Sequence, residues 1–94
     1  MSDEAGALGP LFTLFIAGNS PNSRAASANL QRALAKLGEN PDAVHIIDVF
    51  EYPEAASAAR VLVTPTLLRR SDLGARILGD LSNPVQLVEF LRSS

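Results

Sequence analysis

Leu11-Phe-Thr-Leu-Phe-Ile-Ala-Gly-Asn-Ser-Pro-Asn-Ser23 reads as a strand that passes through a tight turn into a helix. Leu11 to Ala17 is almost wholly apolar without alternation, which predicts burial on both faces and a central place in a sheet. Gly18 to Ser23 is dense in turn residues, and Asn22 or Ser23 is placed to cap a helix running to Leu37. Ala26, Leu30, Ala33, Leu34 and Leu37 form its apolar stripe, and Gly38 suits the left-handed residue that closes it.

Beyond this helix, Glu39 to Asp42 is a loop and Val44-His-Ile-Ile-Asp-Val-Phe50 a second strand. His45 and Asp48 interrupt its apolar pattern, which places it at a sheet edge. Pro53 opens a short, alanine-rich helix over Glu54 to Arg60. Val61 to Val63 and Thr64-Pro-Thr66 lead into a third strand, Leu67 to Arg70. Ser71 to Gly74 turns the chain into a fourth, Ala75 to Leu78. Asn83 as cap, Pro84 and Gln86 then start a last helix whose apolar side is Val85, Val88 and Leu91, with Leu87 beside them. The predicted order is βαβαββα in one α/β domain with a mixed four-stranded sheet. A strand–helix–strand crossover followed by an antiparallel hairpin and a closing helix is the thioredoxin-like arrangement. The domain is expected over 11–94, after a flexible leader at 1–10.

Composition narrows the chemistry. The 94 residues are 47% hydrophobic and 19% charged, with a net charge of −2, so a folded core is expected and a nucleic-acid-binding surface is not. There is no cysteine, which excludes disulfides, thiol redox chemistry and thiolate metal sites. The first ten residues carry Asp3 and Glu4 and no basic segment, and no apolar run approaches the roughly 20 residues of a membrane helix. A cytoplasmic protein with no membrane or nucleic-acid partner is expected.

Ser20-Pro21-Asn22-Ser23 stands where thioredoxin-like proteins carry reactive residues, at a helix N-terminus that favours an anion. Ser20 there could stabilise a glutathione thiolate, as in some glutathione transferases, or these residues could simply cap the helix; capping is the reading favoured. Pro65 is expected to be a cis-proline, with a structural role. His45, the single histidine, lacks partners for a metal, and Asp48 lies on the opposite face of its strand. Arg60, Arg69, Arg70 and Arg76 would form one patch if strands three and four pair, or remain a solvated surface.

Phe15-Ile-Ala-Gly-Asn-Ser-Pro-Asn-Ser23, Ile47-Asp-Val49 with Pro53, Thr64-Pro-Thr-Leu67 and Ile77-Leu-Gly-Asp-Leu-Ser82 together closely resemble the signature blocks of the KaiB family, in that family's order. The resemblance implies a non-enzymatic adaptor, without cofactor or metal, that binds the N-terminal ATPase ring of KaiC in circadian or related timing and stress signalling. In cyanobacteria that complex captures KaiA and displaces the kinase SasA. It also implies two folds: a thioredoxin-like monomer that binds KaiC, and a tetrameric βαββααβ form. Carried over position by position, Arg60, Glu54 and Ser57 are expected to face KaiC, and Gly79 and Asp80 to mark the junction that refolds. This sequence lacks the family's proline run between Leu67 and Gly79, and stops short of the acidic, aromatic tail of many members. Two other readings stand beside this one: a KaiB-like sensor domain acting with a histidine kinase, and a glutathione-binding enzyme using Ser20. The alanines at 55, 56, 58 and 59 favour helix over strand, so the thioredoxin-like monomer is expected to dominate.

Overall fold

The computed structural model describes residues 10–92. Residues 1–9 of the expected leader, and 93–94 at the other end, lie outside the described residues. The elements are β1 (Phe12–Ile16), α1 (Pro21–Leu37), a 3-10 turn (Pro41–Ala43), β2 (Val44–Asp48), α2 (Pro53–Ala58), β3 (Thr66–Arg69), β4 (Asp72–Leu78) and α3 (Pro84–Arg92). The sheet order is β2-β1-β3-β4. β1 pairs parallel with β2, from Phe12 opposite Val44 to Ile16 opposite Asp48. It pairs antiparallel with β3, which in turn pairs antiparallel with β4. The nearly all-apolar β1 is central, and the interrupted β2 is at the edge, as their patterns require.

Alternation along the strands sorts side chains to two faces. Phe12, Leu14, Leu67 and Ile77 meet Ala26, Leu30, Ala33 and Leu34 of α1, Leu81, and Leu87 and Leu91 of α3 in one core. Phe15 and Leu68 are equally buried but outside that cluster, on the opposite face. Among the described residues, the short α2 is the helix on that face. Arg69 belongs to the first face: its guanidinium lies 4.4 Å from the centre of the Phe90 ring and donates to the Phe90 carbonyl at 3.1 Å. Phe90 also packs on Phe12, ring centres 5.9 Å apart.

Several details differ from the sequence reading. The cap of α1 is Ser20, not Asn22 or Ser23, because Pro21 occupies the first helical position and its missing N–H is no loss there. Ser23 is instead buried, its hydroxyl accepting from Ala17 N at 2.9 Å. α2 stops at Ala58, and Arg60 is left-handed with φ 58°. The β3–β4 turn is Arg70-Ser71, and β4 begins at Asp72, opposite Arg69; the irregularity between Leu68 and Arg69 absorbs the shift. Val85 is 66% exposed rather than part of the α3 stripe. At 100° per residue it lies about 200° around the helix from the buried Leu87. The arginines form no single patch, since Arg69 and Arg76 project from opposite faces of the β3–β4 hairpin. Gly38 closes α1 in the left-handed conformation, φ 70°, with its N–H bonded back to Ala35, as expected.

Candidate functional site

The loops after β1 and β2 and before β3 meet at one end of the sheet, the end where β1 and β2 deliver their C-termini. One carboxylate organises them. Asp48, the last residue of β2, accepts from Gly18 N at 3.1 Å and from Phe50 N at 2.9 Å through the same oxygen. This ties the β1–α1 turn to the β2–α2 loop. Gly18 has φ +57°, and a methyl on it would lie 3.4 Å from the Phe50 ring, so the ring rests against bare backbone. On the other side, the Thr64–Pro65 bond is cis, Pro65 is buried, and Thr66 Oγ1 donates to Val63 O at 2.6 Å.

Between these loops α2 stands proud of the sheet. None of its residues is buried. Glu54 and Ser57, one helical turn apart, share an exposed face. Arg60 follows just beyond the helix end, also exposed, its N–H donated to Ser57 O at 3.1 Å. The structure therefore brings Glu54, Ser57 and Arg60 to one shoulder. Around them lie Phe50 (74% exposed), Tyr52 (57%), Leu62 (93%) and Val63 (52%). Phe50, Pro53, Ala56, Val61, Leu62 and Val63 border an open groove of about 410 Å³. Isolated exposed apolar residues are ordinary, but here Phe50, Leu62 and Val63 line one groove and Tyr52 lies beside Pro53 in the chain, which makes the shoulder a candidate interaction surface. The sequence did not single out these four residues; for Leu62 and Val63 the signal was the apolar run Val61 to Val63, set between a helix and a turn.

Gly79 and Asp80 lie between β4 and α3, outside α2 itself. Gly79 has φ +104° and donates its N–H to Pro65 O at 2.9 Å. The Asp80 carbonyl accepts from Asn29 Nδ2 at 2.9 Å, and its carboxylate from Ser82 N at 3.1 Å. The next residue, Leu81, is buried yet left-handed, with φ 61°.

The Ser20 hydroxyl donates to Ser23 Oγ at 2.8 Å and accepts from Ser23 N at 3.4 Å, so it is occupied in capping. His45 is exposed on β2, and no cluster of metal-ligating side chains exists among the described residues. No helix of the described residues is long and apolar enough to cross a membrane.

A cis-proline before an antiparallel hairpin, one helix on one face and two on the other, define a thioredoxin-like protein, here with no cysteine at all. Among solved structures, oxidized mitochondrial thioredoxin 3 from Saccharomyces cerevisiae superposes with a TM-score of 0.69 at 22% identity, over 88% of this chain and 76% of that one. The likeness to it is one of fold. The chain belongs to the KaiB family: the KaiB domain model matches residues 13–92. It is 43% identical to the circadian clock protein KaiB3 of a Synechocystis strain, over 74% of this chain and 70% of that protein. It is 41% identical to the circadian clock oscillator protein KaiB of Thermostichus vulcanus, over 74% of this chain and 66% of that one. These relatives are named as clock proteins, and neither name states an enzymatic activity.

Proposed function

We propose that this chain is a non-enzymatic, cytoplasmic adaptor that docks through α2 and its flanking loops on the N-terminal ATPase ring of a KaiC-type protein. Arg60, Glu54 and Ser57 supply the polar contacts, and Phe50, Tyr52, Leu62 and Val63 the apolar ones. The monomeric thioredoxin-like state is the docking form. Gly79 and Asp80 form the junction at which any alternative fold would diverge, and capture of a KaiA-type protein or displacement of a SasA-like kinase follows docking.

The observation that carries this reading is the exposed α2 shoulder on a member of the KaiB family. Every other helix of the described chain buries an apolar stripe, whereas α2 presents its residues outward and has large apolar side chains on both flanks. The composition supports binding rather than catalysis, since the reactive thiols of the fold are replaced and the Ser20 hydroxyl caps a helix.

The test is a titration of the isotope-labelled protein with the KaiC-type ATPase of its host, in the presence of nucleotide. Amide signals are expected to be lost as the protein co-elutes with the ring, first around Glu54 to Val63. Arg60→Glu reverses a charge at the contact and is expected to weaken binding at least tenfold, in line with the usual effect of a central interface arginine. An unchanged spectrum at saturating ATPase would defeat the ring-docking reading and leave the kinase-linked sensor in its place.

A further inference from the structure

We propose that Arg76, on β4, is a positioning residue for the docking shoulder: its guanidinium closes the C-terminal end of α2 and thereby fixes Arg60. The inference rests on the docking reading above only for its consequence in binding. Its geometric part stands on α2 itself.

A six-residue helix is far below the about 12–15 residues at which isolated helices become stable in water. α2 starts on Pro53 and Glu54, which favour a helix N-terminus, but it is weakly supported otherwise. Its cap residue, Tyr52, makes no side-chain capping bond, and none of its residues is buried. Packing of an apolar face, the main source of helix stability in proteins, is therefore weak here. Its last turn closes through Ala59 N to Ala55 O at 3.1 Å, Arg60 N to Ser57 O at 3.1 Å and Val61 N to Ala56 O at 2.9 Å. Ala59 and Arg60 lie just beyond the helix end, with Arg60 held at φ 58°, a sparsely populated conformation for a residue with a side chain.

Arg76 reaches both from across the sheet. Its Nη2 donates to Ala59 O at 3.1 Å and its Nη1 to Arg60 O at 3.1 Å. These two bonds join residues 17 and 16 positions apart, from different elements. The planar fork of a guanidinium suits two successive carbonyls, where an ammonium would act as a single point charge. A cation at a helix C-terminus is also favoured by the backbone dipoles. Arg76 thus acts on docking through Arg60: it holds the backbone from which the Arg60 side chain projects.

The first test needs no partner. Amide hydrogen exchange is compared between the wild type and Arg76→Gln, a variant that removes the fork and the charge. Protection of Ala59, Arg60 and Val61 is expected to fall at least several-fold, while Leu14 and Leu67 in the sheet are unchanged. Equal loss at all five positions, or no loss at any, overturns the proposal; Arg76→Lys should restore only part of the protection. The second test measures affinity for the KaiC-type ring with Arg60→Ala, Arg76→Gln and the double variant. If Arg76 acts through Arg60, the double variant binds no more weakly than Arg60→Ala alone. Multiplying losses would make Arg76 an independent contact and overturn the positioning role. Failure of the wild type itself to bind would strike the docking reading, and the exchange experiment would still decide the geometry.

Discussion

Asp48 shows how much of the arrangement of the exposed shoulder depends on one side chain at a strand end. It ends an edge strand, and its sequence position suggests only an interruption in an apolar run. In the folded chain one carboxylate oxygen accepts from two backbone donors, Gly18 N and Phe50 N, and so locks two loops of the shoulder together. Hydrogen bonds to a charged acceptor contribute more than neutral ones, and a part-buried N–H left without its acceptor is penalised by about 1–3 kcal/mol. Asp48→Ala is therefore expected to lower stability by about 1–3 kcal/mol. The check is urea unfolding: the midpoint should fall with an unchanged slope, since the loops reorganise without unfolding the core. An unchanged midpoint would mean that water replaces the carboxylate without penalty. The contrast with His45, three residues earlier and exposed, was legible in advance: alternation alone separates the two side chains. The partners of Asp48 were not, because an acidic residue at a strand end carries no signal of which distant N–H it will meet.

At the scale of elements, the sequence carried most of the fold through periodicity. β1 is central because all of it but Thr13 is apolar, β2 is at the edge because it is interrupted, and α1 ends at Gly38 because a left-handed residue is needed there. The errors cluster where two local signals compete. Ser20, Asn22 and Ser23 are all good caps, and Pro21 decides among them only once its fixed φ and missing N–H are weighed. Ser71, Asp72 and Gly74 all read as turn residues, yet pairing with Arg69 draws Asp72 into β4. The shoulder was half legible: Glu54, Ser57 and Arg60 came from family resemblance, while the apolar quartet and the Arg76 contact arise only from tertiary packing. α2 is the element with the most to test. In the alternative fold that the family resemblance implies, its segment would become strand, and alanine disfavours strand relative to helix by up to about 1 kcal/mol per site. With alanine at 55, 56, 58 and 59, the bias is a large part of the about 5.5 kcal/mol that carries a population from 1:99 to 99:1. Carbon chemical shifts are accordingly expected to be helical over Pro53–Ala58, in a single set of resonances. Strand-like shifts over Glu54 to Arg60, or a second set of comparable intensity, would show that the alternative fold is populated.

For the molecule as a whole, the buried core and the proposed docking shoulder are different surfaces, and this separation is open to measurement. The core lies between the sheet and the α1–α3 layer, with Leu67 fully buried on β3. The shoulder lies at the other side of the sheet, with Leu62 93% exposed. Both are leucines, so a matched pair of substitutions compares the two places with the same side chain. Leu67→Ala removes buried methyl groups from a packed core, where the surroundings collapse only in part, and should destabilise by about 2–5 kcal/mol. Its effect on docking should come only through the unfolded fraction. Leu62→Ser removes a side chain that folding leaves in water, so stability should change by no more than about 0.5 kcal/mol. If the shoulder is the docking surface, that same change withdraws the most exposed apolar group from the contact, and affinity for the ring should fall about tenfold or more. The decisive comparison is thermal or urea unfolding beside a binding isotherm for each variant. Leu62→Ser with wild-type affinity would move the contact off the α2–β3 loop, and Leu62→Ser with lost stability would show that the loop packs more tightly than its exposure implies. The expected pattern, one variant that folds poorly and one that folds normally but does not dock, requires that Leu62 be held outward for a partner.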